Sequence, residues 1–225
     1  DSYADADISI QAPGTLEGNI IVHSISADST ARADIQMTGE YDGNYILSAD
    51  ANSRAMLTLR GTSADTLDLG NRNLDLESVN NSSDIRLQLV NTTVTADGNV
   101  IAGTQAVGSS STVTLRSSDV TLTDNEVSAL ARANSSDAEV NLIDTQLNGL
   151  ERVNAMASGD YSNAQVNISG DIDVGEGIQI VASGLYSYGE IDANVSGNLG
   201  QALASATGTS ADARLYVDGS ANLSG

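Results

Sequence analysis

The chain has 225 residues and a net charge of −21, with no Cys, Lys, Trp or Phe; its aromatic residues are seven Tyr. The charge excludes nucleic acid and anionic membrane surfaces as partners, since both need a basic footprint. The lack of Cys rules out a disulfide framework, and the lack of large aromatics argues for a thin core of Val, Ile, Leu and Ala rather than a conventional globular one.

The chain opens on Asp1-Ser2-Tyr3-Ala4-Asp5 without a signal-peptide pattern, as expected of a mature or excised chain, and has no apolar run of transmembrane length. A short motif then recurs: apolar, polar, apolar. It runs through Ile8-Ser9-Ile10, Ile35-Gln36-Met37, Leu57-Thr58-Leu59, Leu87-Gln88-Leu89, Val113-Thr114-Leu115, Val140-Asn141-Leu142, Val166-Asn167-Ile168, Ala193-Asn194-Val195 and Leu215-Tyr216-Val217. The first members are 27, 22, 30, 26, 27, 26, 27 and 22 residues apart. Two residues beyond each motif stands a turn former: Gly39, Gly61, Gly170, Gly197 and Gly219, or Asn91, Ser117 and Asp144.

A second apolar segment follows in each copy, as in Val94, Val120-Thr121-Leu122, Leu147, Ile172-Asp173-Val174, Leu199 and Ala221-Asn222-Leu223. A third alternates strictly and ends in Ala, as in Tyr45/Leu47/Ala49, Val127/Ala129/Ala131, Val153/Ala155/Ala157, Ile178/Ile180/Ala182 and Ala202/Ala204/Ala206. Polar turns such as Asn134-Ser135-Ser136 lead into the next copy.

Alternation of period two marks a strand with one buried face. Three strands and three turns fill about 26 residues, and one such coil must stack on its neighbours to bury its inner face. The pattern predicts an all-β chain: one continuous right-handed parallel β-helix (β-solenoid) over residues 1–225, with three strands per rung and roughly nine rungs. Repeated β-sandwiches are the alternative. The chain is expected to be a fragment or mature part of a longer surface protein, because the last copy stops at Gly225 without a cap.

Stacking predicts an outward column of Ser9, Gln36, Thr58, Gln88, Thr114, Asn141, Asn167, Asn194 and Tyr216, with no charged member. Tyr161 and Tyr188, each five residues before an anchor, are expected to be vertical neighbours with Tyr186 close by. That cluster reads as a surface that contacts sugars or partners, or as packing that covers a turn.

Chemistry is sparse. The single His, His23, sits in an apolar strand; thiol and amine nucleophiles are absent. No Gly-x-Ser-x-Gly elbow, P-loop or Gly-x-Gly-x-x-Gly motif occurs. The chain is therefore expected not to be an enzyme. The enzymatic alternative, polysaccharide processing, would use acid pairs such as Asp171/Asp173 or Asp65/Asp68. No metal site or cofactor is expected; weak Ca2+ binding between acidic turns stays open, since Asp171-x-Asp173-x-Gly175-Glu176 matches only part of a calcium loop. Thr95 and Thr121 align, but Asn148 and Asp173 break the array an ice-binding face needs.

The repeats, and above all Ala129-Leu130-Ala131-Arg132-Ala133-Asn134-Ser135-Ser136 and Ala155-Met156-Ala157-Ser158-Gly159, resemble exported bacterial β-helical adhesins of the filamentous-haemagglutinin-like kind. Among these the texture is most similar to the holdfast-attachment protein D family of stalked alphaproteobacteria. The resemblance covers the chain as repeat texture and carries no active-site residue. It implies an extracellular, outer-membrane-associated stalk that tethers adhesive polysaccharide (holdfast) in a biofilm. Its partners would be that polysaccharide, sister anchor proteins and an outer-membrane secretion pore, with end-to-end self-association open. A phage fibre module is the third reading.

Overall fold

The computed structural model describes residues 5–62, 66–123, 126–170, 174–195, 198–219 and 222–223. They form twenty strands. In chain order these are β1 (Asp5–Pro13), β2 (Ile20–Ser24), β3 (Thr30–Glu40), β4 (Tyr45–Ala49), β5 (Arg54–Arg60), β6 (Leu67–Ser78), β7 (Asp84–Val90), β8 (Thr92–Thr104), β9 (Ser110–Arg116) and β10 (Asp119–Leu122). They continue as β11 (Glu126–Ala131), β12 (Asp137–Ile143), β13 (Gln146–Asn148), β14 (Arg152–Ala157), β15 (Asn163–Gly170), β16 (Val174–Ala182), β17 (Tyr188–Val195), β18 (Asn198–Ala206), β19 (Asp212–Gly219) and β20 (Asn222–Leu223).

Each strand pairs in parallel with its counterpart one winding on, so the chain is a parallel β-solenoid of about 26 residues per turn. Eight windings are complete and β19–β20 begin a ninth. The first face is β1, β3, β5, β7, β9, β12, β15, β17 and β19, one unbroken stack. On the second face Val94, Val120 and Leu147 lie in one column, and Val174 and Leu199 pair in another. The third face carries the Ala-rich segments, with Val100, Val127, Val153, Ile178 and Ala202 in one file.

The core is the dry column these faces enclose. Leu57, Leu87, Val113, Val140, Val166 and Ile191 are each at most 1% exposed, as are Ala102, Ala129 and Ala155 opposite them. Burial of each branched side chain contributes about 1.5–3 kcal/mol. The Ala on the third face keeps the column narrow enough for single aliphatic side chains to fill it.

The register differs from the sequence expectation at both ends. Ile35 lies over Ile10 and under Leu59, not over Ile8 and under Leu57. Val166 lies under Ile191, not under Ala193. The first-face column is therefore Ile8, Ala33, Leu57, Leu87, Val113, Val140, Val166, Ile191 and Leu215. Its steps of 25, 24, 30, 26, 27, 26, 25 and 24 residues are more even than the motif spacing. Both errors are slips of two, which leave every side chain on its predicted face. The outward column consequently holds Asp34 and Asp192 in place of Gln36 and Asn194, so the expectation of an uncharged column is overturned. The two Asp are five windings or more apart and do not repel. An amide rung does form within it: Asn167 Nδ2 donates to Asn141 Oδ1 at 2.7 Å.

What sets the register is a turn that closes every winding between the third face and the next first face. Its last residue is a buried serine: Ser29, Ser53, Ser83, Ser109, Ser136, Ser162 and Ser187. Each hydroxyl donates to the carbonyl three residues earlier, at 2.5–2.8 Å. The residue before each serine has a left-handed backbone: Asp28, Asn52, Ser82, Gly108, Ser135, Tyr161 and Tyr186, with Ser210 continuing the file above Tyr186. Asn, Asp and Gly suit that conformation; a bulky residue there costs about 1–2 kcal/mol.

Candidate functional site

Tyr161 and Tyr186 break the chemistry of that left-handed file. Their φ angles are 56° and 51°, like those of the Asp, Asn and Ser members, yet each carries a large ring that gains no burial: the residues are 60% and 54% exposed. A bulky side chain held where small polar ones are favoured points to a role outside folding.

The backbone places the rings over one another. The Tyr161 N–H donates to the Leu185 carbonyl at 2.7 Å, and the Tyr186 N–H to the Thr209 carbonyl at 2.9 Å. Beside them a side-chain stair fixes the turns. Asp160 N–H donates to Asn134 Oδ1, and Leu185 N–H donates to Asp160 Oδ1, both at 2.9 Å. The rings stack with centroids 5.3 Å apart and planes 22° off parallel, a favoured offset arrangement worth about 0.5–1.5 kcal/mol. The outer faces of the pair meet only the file members Ser135 and Ser210, too short to cover them.

Tyr188 lies elsewhere. It pairs with Asn163, not with Tyr161, because the first face steps by 25 residues at this level. The expected Tyr161–Tyr188 neighbours are therefore Tyr161 and Tyr186. Tyr188 is half-buried on the first face, with the Arg214 guanidinium 5.3 Å from its ring centre.

The other expected residues scatter. His23 is an outward residue of β2, with Nε2 3.8 Å from Asp50 Oδ1. Asp65, Asp171 and Asp173 lie outside the described residues, as does Gly197. Asp68 Oδ1 accepts the Gly70 N–H at 2.9 Å within its own turn. Glu176 pairs with Arg152. Among the described residues no three acidic or His side chains converge to hold a metal ion. Thr95, Thr121 and Asn148 do share one column.

A second feature went unread in the sequence. On the third face β2 and β4 form a sheet of their own, separate from the continuous sheet that begins at β6. The split holds a cleft of about 320 Å³ lined by Tyr45, Leu47, Arg72, Asp75, Leu76 and Glu77, among others. The signals for it are the 30-residue winding from Leu57 to Leu87 and Tyr45, which stands where later windings have Leu74, Val100 and Val127.

No family model, no curated protein and no solved structure matches the chain. No helix of the described residues is long and apolar enough to cross a membrane. The chain is a repetitive solenoid scaffold, an architecture consistent with a structural or adhesive role.

Proposed function

We propose that the chain is a non-catalytic extracellular stalk or anchor that holds neutral polysaccharide at the Tyr161–Tyr186 stack. The observation that carries this is the pair of exposed rings kept in left-handed turns at a cost in backbone strain. Exposed aromatic faces bind the apolar C–H faces of sugar rings. The net charge of −21 disfavours anionic polymers and leaves neutral glycans as the matching class. The parallel ladder supplies stiffness along the rod, and many copies on one surface would turn a weak site into firm attachment. Attachment to adhesive holdfast polysaccharide at a bacterial outer membrane, with companion anchor proteins and a secretion pore, is the finer form of this reading and rests on the resemblance of the repeats.

The test is retention on neutral β-linked glucan compared with an acidic glycan. Tyr161→Asn/Tyr186→Asn suits the left-handed turns, so the rod folds while both ring faces are lost. Each face is worth about 0.5–1.5 kcal/mol, so retention on neutral glycan falls about tenfold or more. Unchanged retention removes the stack from the function, and release of new reducing ends from the glycan removes the non-catalytic reading.

A further inference from the structure

The split in the third face has the form of a missing strand. β4 pairs with β2 on one side only, and the last five residues of β6 pair with β8 on one side only. Across the split the Cα atoms of β4 and β6 stay more than 8 Å apart over nearly all of their length. Adjacent strands lie about 4.8 Å apart, so one extra strand between two others needs about 9.6 Å.

Both lips present unpaired peptide groups. In a parallel ladder successive residues turn their N–H and C=O to opposite sides. The Asn44 carbonyl accepts from Ile20 N–H and the Asp50 N–H donates to the Ser24 carbonyl, both toward the β2 side. By alternation Tyr45, Leu47 and Ala49 face the split. On the other lip the Ser78 carbonyl accepts from Gln105 N–H on the β8 side, so Asp75 and Glu77 face the split. Side chains bridge only the ends. The Tyr45 hydroxyl donates to the Asn73 carbonyl at one end, and Asn80 Nδ2 donates to the Ala49 carbonyl at 2.9 Å at the other. Asp75 N–H is held by Asn73 Oδ1 at 2.8 Å. Among the described residues, no backbone hydrogen bond joins Leu47 to Asp75 or Glu77.

The side chains around the split define what fits. Its floor is apolar, built from Tyr45, Leu47 and Leu76. Its outward lip is acidic: Asp75 carries no ion pair, and Glu77 shares one oxygen with Arg132 at 2.8 Å. Burial and the Glu77 charge push the Asp75 carboxyl above its ordinary range, so a cation at that lip is favoured. Arg72 Nε, at the Tyr45 end, is buried without a hydrogen-bond partner.

We propose that this split is a strand-accepting site for an extended peptide of about five residues whose inward side chains are apolar and whose outward side chains are basic. The peptide would lie parallel to β4 and β6 and complete the third-face sheet, with main-chain hydrogen bonds to Leu47 on one side and Glu77 on the other. Its basic residues would stand beside Asp75 and Glu77 as cross-strand pairs. The site is independent of the tyrosine stack.

The probe is fluorescein-labelled Val-Lys-Val-Lys-Val amide, followed by anisotropy and by amide exchange on the intact chain. Binding is expected to slow exchange at Leu47 and Glu77 and to leave Ala129 unchanged. Methylation of the central Val nitrogen of the peptide, or replacement of its Lys by Glu, is expected to weaken binding at least tenfold, and Asp75→Asn to weaken it severalfold. Three results would overturn the proposal: Leu47 and Glu77 amides that already exchange as slowly as Ala129 in the free protein, no binding of the Lys peptide, or equal binding of the methylated peptide. Protection of the same amides by a neutral glucan oligomer in place of the peptide would assign the split to sugar and also end it.

Discussion

From Val100 to Ala206 the third face is one ladder, Val100, Val127, Val153, Ile178 and Ala202 in file, and nothing interrupts the main-chain pairing. From Tyr45 to Ser78 the same face is split, although the first face passes through that level without a break. The two regions share the alternation and the turn chemistry. They differ in side-chain bulk and winding length. A core one aliphatic residue thick accepts Val, Leu, Ile and Ala in register, whereas Tyr45 must send its hydroxyl out to a carbonyl, and buried Tyr41 fills the space beside it with Arg72 5.1 Å from its ring centre. The extra residues of the third winding are absorbed in bulges around Asn71 and Leu74. In a solenoid, then, one face can open while the others hold the phase.

The largest expected contrast comes from placing a carboxylate at matched positions of the two regions. Ala129→Asp puts an unpaired charge at a fully buried site and should cost about 3–5 kcal/mol in denaturant unfolding. Leu47→Asp sits at the open split and should cost about 2 kcal/mol or less, because water reaches it. Equal costs would mean that the split is closed in solution.

A methyl group probes how closely the regular windings approach. A Cβ on Gly184 would lie 2.1 Å from the Gly159 carbonyl oxygen, so Gly184→Ala must push two windings apart, at about 1–3 kcal/mol by thermal melting. A neutral effect would show that the stack breathes at that turn.

The serine file offers a finer comparison. Ser136→Ala strands the buried Thr104 hydroxyl, which donates to Ser136 Oγ at 2.8 Å, and should cost about 1–2 kcal/mol. Ser53→Ala should cost less, because the Ser24 and Asp50 carbonyls it serves also accept main-chain N–H groups. A reversed order in chemical denaturation would place the stiffer turns in the split region.

The smallest effect is electrostatic. Because the folded protein raises the Asp75 pKa by burial, ionisation of this group opposes folding at neutral pH. The penalty fades as pH falls through the raised value and is gone below the ordinary carboxylate pKa, about 4. Asp75→Asn should therefore raise Tm by ~1 °C at pH 7 and change it little at pH 3. A gain that grew toward acid pH would contradict the buried placement of this carboxyl.

By itself the sequence determined that the chain is a stack of parallel windings, and which side of each strand faces inward. Both follow from an alternation of period two repeated about every 26 residues, and that local pattern survives any slip by two. It did not determine which of two apolar residues lies over which, so Ile35 and Ala193 were assigned one pair out of step. A spacing signal was present in the buried serines, at steps of 24, 30, 26, 27, 26 and 25 residues from Ser29 to Ser187. Their role shows only when the turn closes and each hydroxyl meets the carbonyl three residues back. Tertiary structure alone decided that Tyr186, rather than Tyr188, covers Tyr161, and that the third face parts beside Tyr45. Both outcomes depend on the exact rise of one winding over the next and on the room left in a narrow core, quantities that no single strand encodes.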